Sequence, residues 1–132
     1  TTHWAVHEIS LTTEATSALS SLAGSLGFDA VRVDLGDCGD KASFLGRMAE
    51  ALAFPDWFGQ NWDAFFDCLA DLSWRPARGY VLLLEHADTM RSDAPEALDT
   101  ALAILGDAAS AWESRGVPFR VFVGAPSPTD AG

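Results

Sequence analysis

Apolar positions recur along the chain at two periods, and each change of period marks an element. His3–Ile9 (HWAVHEI) alternates in part and predicts a short edge strand. Beyond Thr12 or Thr13 the period lengthens: Ala15, Leu19, Leu22, Ala23 and Leu26 share one side of a helix that Gly27 stops. Ala30–Leu35 (AVRVDL) alternates again, and residues 36–40 (GDCGD) form a cluster of turn formers. Lys41–Leu52 carries Phe44, Leu45, Met48 and Leu52 at helical spacing. Another helix begins at Trp62 and runs to about Leu72, with Trp62, Phe65, Phe66 and Leu69 as its core stripe. Ser73–Gly79 reads as a loop. Tyr80–Leu84 (YVLLL) is apolar throughout, as a strand covered on both faces would be. Glu85–Asp93 is polar and loop-like. Pro95 suits a first helical turn, and Leu98, Leu102 and Leu105 continue that helix, with ends at Gly106 and Trp112 both open. Phe119–Val123 (FRVFV) is the last strand, and 124–132 reads as a flexible tail.

Strands that alternate with helices predict an α/β layer with a largely parallel sheet. The 132 residues suffice for one packed domain, and neither a repeat nor a linker divides them. Charge narrows the partners. At a net −11 the surface repels nucleic acid and anionic membranes and attracts basic proteins, so direct nucleic-acid binding and membrane binding are both excluded. No apolar run is long enough to span a bilayer, and no export signal precedes the first strand, so a cytoplasmic location is expected. Cys38 and Cys68 are too few for a disulfide scaffold and are expected to be free, buried thiols.

The chemistry concentrates in residues 54–69 (FPDWFGQNWDAFFDCL). Pro55 and Gly59 keep the entry irregular, and Asn61 is a good N-cap. Asp63, Asp67 and Asp71 recur every four residues as an acidic stripe, and no Lys or Arg lies between Phe54 and Trp74 to relieve it. By pattern alone this is a solvated helix face. Exposed carboxylates at that spacing lack the desolvation that separates the pKa values of a catalytic pair. The three histidines are scattered, the cysteines are unpaired, and no phosphate-binding glycine motif or nucleophile elbow occurs. Enzymatic activity, a metal site and a cofactor are therefore not expected.

The same stretch closely resembles the central motif of the barstar family, intracellular inhibitors of secreted guanyl-specific ribonucleases. The match is Pro55, Asp56, Trp57, Phe58, Gly59 and Asn61, followed by Asp63, Ala64, Asp67, Cys68 and Leu69. The resemblance implies a small, largely parallel sheet packed by helices over 30–123, with 1–29 as an added strand and helix at one sheet edge. It implies a 1:1 complex with a basic ribonuclease, whose active site is plugged by an acidic helix and an aromatic loop. The surface so implied comprises Trp57, Phe58, Gly59, Asn61, Trp62, Asp63, Phe66, Asp67 and Trp74, with the Asp67 carboxylate standing in for substrate phosphate. Two departures matter. The family's second acid falls here on Ala111, with Asp107 and Glu113 near but not equivalent, and Trp57 and Phe58 replace a pair more often tyrosine. A barstar-fold module or immunity protein for another cationic toxin is the alternative.

Overall fold

The computed structural model describes residues 5–56 and 58–125. Its elements are β1 (Val6–Ile9), α1 (Thr13–Ser25), β2 (Asp29–Asp34), α2 (Lys41–Leu52), α3 (Trp62–Asp71), β3 (Tyr80–Glu85), α4 (Asp88–Asp93), α5 (Pro95–Glu113) and β4 (Phe119–Gly124). The strands form one sheet in the order β1-β4-β3-β2, and every neighbouring pair is parallel. The α/β architecture inferred from the alternating periods is the one observed.

The apolar run of β3 lies in the interior of the sheet, between β2 and β4, and Tyr80 to Leu84 are all buried. Leu82 and Leu84 face the larger core, which Phe44, Leu45, Met48 and Leu52 of α2, Phe65 and Leu69 of α3, and Leu98 and Leu105 of α5 complete. Val81 and Leu83 face the opposite side, where Ala23 and Leu19 of α1 join Phe28 and Phe122 in a smaller cluster. A continuous apolar strand is the expected solution for a position covered on both faces.

The caps follow sequence. Thr12 Oγ1 accepts from the Ala15 N–H at 3.0 Å, and Asp40 Oδ1 from the Ser43 N–H at 2.8 Å. The Asp40 carboxyl is held below its ordinary range by that backbone bond. Arg47 fastens the turn before α2, donating to the Asp34 carbonyl at 2.6 Å and to the Asp37 carboxylate at 2.8 Å.

Two local expectations are corrected, on α1 and after β3, and the open end of α5 is settled. The inner face of α1 is Thr16 and Ala23 with Leu19 beside them, whereas Leu22 and Leu26 are 59% and 50% exposed. Apolar residues on α1 cover a wide arc, and the buried Thr16 hid the true centre of the stripe; its hydroxyl is satisfied by donating to the Thr12 carbonyl at 2.9 Å. The polar stretch after β3 contains α4, a six-residue helix. Only Met90 is buried in it, so no apolar period announces it. Helix α5 passes straight through Gly106, which is buried.

Both cysteines are free and buried. Burial, reinforced by the neighbouring Asp67 and Asp71 charges, pushes the Cys68 thiol up to about 11. An unfolded thiol titrates near 8.5, so the folded state binds this proton more tightly. That contribution to stability is complete below the unfolded value and is lost as pH rises through about 11. The native protein should therefore resist thiol reagents at about pH 8, and unfolding should release both groups. Fast labelling of Cys68 before unfolding would contradict its burial.

Phe65 is fully buried, with its ring 5.5 Å from Phe44 in an edge-to-face arrangement. Phe65→Ala should cost about 3–5 kcal/mol, seen as a lowered urea midpoint at unchanged slope. A loss below about 1 kcal/mol would mean that α3 does not rest on this ring.

Candidate functional site

The site begins where α2 ends. Ala53 takes a left-handed conformation (φ 55°), and the Phe54 N–H returns to the Ala49 carbonyl at 2.9 Å. Phe54 is the hub of the loop that follows. Its ring lies 4.9 Å from Phe58, 6.2 Å from Trp74 and 6.3 Å from Phe65. Gln60 turns the chain with φ 55°, and Asn61 then starts α3. Its Oδ1 accepts from the Ala64 N–H at 2.8 Å, while its Nδ2 donates to the Gly59 carbonyl at 3.4 Å. A Cβ on Gly59 would sit 3.2 Å from that Nδ2, so the loop is tight enough there to favour glycine.

The far end of α3 is closed by tertiary contacts. Helix termini leave carbonyls without intrahelical partners. Here the Trp112 indole N–H donates to the Leu69 carbonyl at 2.7 Å, and Arg115 donates to the Ala70 carbonyl at 2.9 Å. The Arg115 guanidinium stacks over the Trp112 ring at 4.3 Å. Trp74 does the same for α2, donating to the Leu52 carbonyl at 3.0 Å.

With both ends fixed, Phe65, Cys68 and Leu69 point inward, and Asp63, Asp67 and Asp71 stay exposed. None of these three carboxylates forms an ion pair among the described residues. Trp62 and Phe66, expected in the core stripe, are only half-buried. They flank the acids because the inward arc of α3 runs from Cys68 through Phe65 to Leu69, which leaves Trp62 and Phe66 at its margin.

Two grooves flank this ridge. One, of about 620 Å³, runs between α3 and the start of α2 and is lined by Lys41, Gly59, Asn61, Trp62, Asp63 and Asp67. The Lys41 ammonium lies over the Trp62 ring at 5.2 Å. The other, of about 670 Å³, runs between α3 and α5 and is lined by Trp62, Asp63, Phe66, Asp67, Ile104 and Asp107.

The nine residues implied by the resemblance thus separate by position. Gly59, Asn61, Trp62, Asp63, Phe66 and Asp67 converge on the two grooves. Phe58 packs on Phe54, and Trp74 donates its indole N–H to the end of α2, so both shape the loop, and neither lines these two grooves. Trp57 lies outside the described residues. Lys41 and Ile104 were missed. A lysine in the first turn of α2 opposes the helix dipole, a weak signal that it serves something other than its own helix. Ile104 and Asp107 share a face of α5 by their spacing of three, but only the packing of α5 on α3 turns that face toward the acids.

Among the described residues there is no group of three or more His, Cys, Asp or Glu side chains that could hold a metal ion. No helix there is long and apolar enough to cross a membrane. Fold and surface together define a class: a small parallel α/β protein that presents carboxylates and aromatic rings on a helix capped at both ends. The sequence pattern of the family described as Barstar (barnase inhibitor) matches residues 28–124, and the chain belongs to that family. No curated protein matches the chain.

Asn61→Ala removes the cap of α3 and should cost about 1 kcal/mol of stability, while Asn61→Asp, an equally good cap, should cost far less. Urea midpoints of both variants check this. Equal losses would show that the cap hydrogen bond is not what Asn61 contributes.

Proposed function

We propose that the protein is a stoichiometric inhibitor of a secreted, basic, guanyl-specific ribonuclease, binding one enzyme and performing no turnover of its own. The observation that carries this is the Asp67 carboxylate, exposed and without an ion pair among the described residues, on a docked helix within the motif that marks the family. A ribonuclease cleft holds cations arranged for phosphate. A carboxylate fixed in advance meets them without paying to order its own helix, and side chains that exclude water strengthen the contact. Asp63 one turn earlier extends the anionic surface, and Trp62 and Phe66 supply its apolar rim. By its place in the family motif, Trp57 covers the mouth of the enzyme's cleft.

The remaining assignments belong to the same reading. Such an inhibitor acts in the cytoplasm, where it guards against enzyme retained in the cell. Residues 1–29 are an addition to the family domain: β1 extends the sheet beyond β4, and α1 packs on β2 and β3. A second reading is favoured by one observation, the Ala111 that stands where the family has its second acid. On that reading the protein is an immunity protein for a different cationic toxin. Inhibition assays against a panel of guanyl-specific ribonucleases separate the two.

Charge should also govern the encounter. A net −11 protein approaching a cationic cleft should associate more slowly as salt rises, because screening shortens the attraction to about 8–10 Å at physiological strength. The reference case for such steering is barstar with its own enzyme, so this expectation is carried over within the family. Stopped-flow rates that do not change with ionic strength would oppose it.

Asp67→Ala should damage inhibition far more than folding. The side chain is exposed, so its loss opens no cavity, and it relieves like-charge repulsion from Asp63 and Asp71 worth a few tenths of a kcal/mol, roughly. Inhibition should weaken by well over tenfold, about 1.4 kcal/mol for each decade. A large fall in urea midpoint, or inhibition reduced by less than tenfold, would remove Asp67 as the phosphate mimic.

A further inference from the structure

The face of the sheet opposite α3 is the less completely covered one. Val81 and Leu83 of β3 and Phe122 of β4 point to it, and α1 packs there through Ala23 and Leu19. Beside them His7 of β1 stacks on Phe122 with ring centroids 5.2 Å apart, and both side chains are half-buried. Leu19, Leu22 and Leu26 share one flank of α1 by their spacing. Leu19 reaches the sheet cluster, whereas Leu22 and Leu26 are the exposed large hydrophobic side chains among the described residues. We propose that this flank is a self-association surface, on which two copies of the chain pair their α1 helices antiparallel about a twofold axis.

The choice of a second copy follows from charge. The chain carries a net −11, yet no charged residue occurs from Ala15 to Phe28, the longest such run in the sequence. A copy that approaches the acidic parts of the surface is repelled, and along this flank it meets no carboxylate. The two ends of the helix complete the match. Glu14 is exposed in the first turn of α1. Arg78 is exposed just beyond the last turn, where a Cβ on Gly27 would sit 3.0 Å from its Cδ. Neither forms an ion pair among the described residues. Antiparallel pairing centred on Leu22 sets Leu26 of one copy against the small Ala18 of the other. It also brings Glu14 of each copy toward Arg78 of the other, with the helix dipoles opposed. A helix of 13 residues is about 20 Å long, so the surface falls short of about 1,200 Å², where stable interfaces begin. The dimer is therefore weak and concentration-dependent. Because α3 packs on the other face of the sheet, both acidic helices stay free in it. Helix α1 precedes the residues that the family pattern matches, and the inference does not rest on the inhibitor reading.

Sedimentation velocity on the full chain, from about 1 µM to 1 mM, covers the range in which an interface of this size associates. The mass should rise from one chain of 14.1 kDa toward two. The rise should begin at lower concentration in high salt, which screens the repulsion between two net −11 chains. That is the opposite of the salt dependence expected for the encounter with a cationic enzyme. Leu22→Glu should stay monomeric throughout and keep the parent's urea midpoint, because Leu22 is exposed. Thr100→Glu, at an exposed position of α5, adds the same charge and should dimerise as the parent does. Should Leu22→Glu lower the urea midpoint, Leu22→Cys decides. The native thiols are buried, so on oxidation with glutathione disulfide Leu22→Cys should link to an identical copy about tenfold faster than Thr100→Cys, or more. A parent that remains monomeric at the highest concentration in high salt would overturn the proposal. So would a dimer that survives Leu22→Glu, one that Thr100→Glu abolishes equally, or linkage of Leu22→Cys no faster than that of Thr100→Cys.

Discussion

A ten-residue helix bearing carboxylates at four-residue spacing does not hold itself together. Isolated helices of that length are marginal in water, and each like-charge pair at i, i+4 weakens this one further. What holds α3 is external: Phe65, Cys68 and Leu69 sunk in the core, Asn61 at one end, and Trp112 with Arg115 at the other. Everything the surface presents depends on that docking. The loop before α3 is fixed by the Phe54 ring that also touches Phe65, and the α5 wall of the second groove is fixed by the residues that cap α3. Loss of the inner face would therefore disperse the acids together.

The charge pattern is in this sense a cost carried by the core. Mutual repulsion along α3 is small per pair but finds no relief within the described structure, while hydrophobic burial of one aromatic ring exceeds it several-fold. A protein selected for stability alone would place a lysine within reach of Asp67. The nearest cation in the grooves, Lys41, is instead committed to the Trp62 ring. Such unrelieved charge is intelligible where a partner supplies the counter-ions.

Much of this was legible in sequence, for identifiable reasons. Phe44, Leu45, Met48 and Leu52 are all buried, because α2 packs a single narrow stripe and its period is undisturbed. YVLLL gave the doubly covered strand, and Asn61 gave the cap. Sequence failed where tertiary contact overrides period. On α1 a satisfied threonine takes an apolar position's place. In α4 one methionine is too little to show a period. Trp62 and Phe66 are apolar by composition, but they line a groove because the buried arc of α3 is centred on Phe65, between Cys68 and Leu69, and leaves them at its margin. For the site, Asp63 and Asp67 could be read from one stretch of chain. The α5 wall could not, because Ile104 and Asp107 reach the acids through helix packing across about 40 residues of sequence, and a single chain read in order carries no record of such a contact.

The strand order also has a consequence for solubility. An open parallel sheet exposes hydrogen-bonding groups along both outer strands, and these invite pairing with another chain. Here one outer strand is only the four residues of β1. The other, β2, carries Asp29, Arg32 and Asp34 among its six residues, with Arg32 held to Glu85 at 2.6 Å. A second molecule laying a strand against that edge would have to bury these charges. The most apolar strand, β3, has no free edge at all. The sheet is thus ordered so that its most aggregation-prone segment is the one least able to meet another copy of itself.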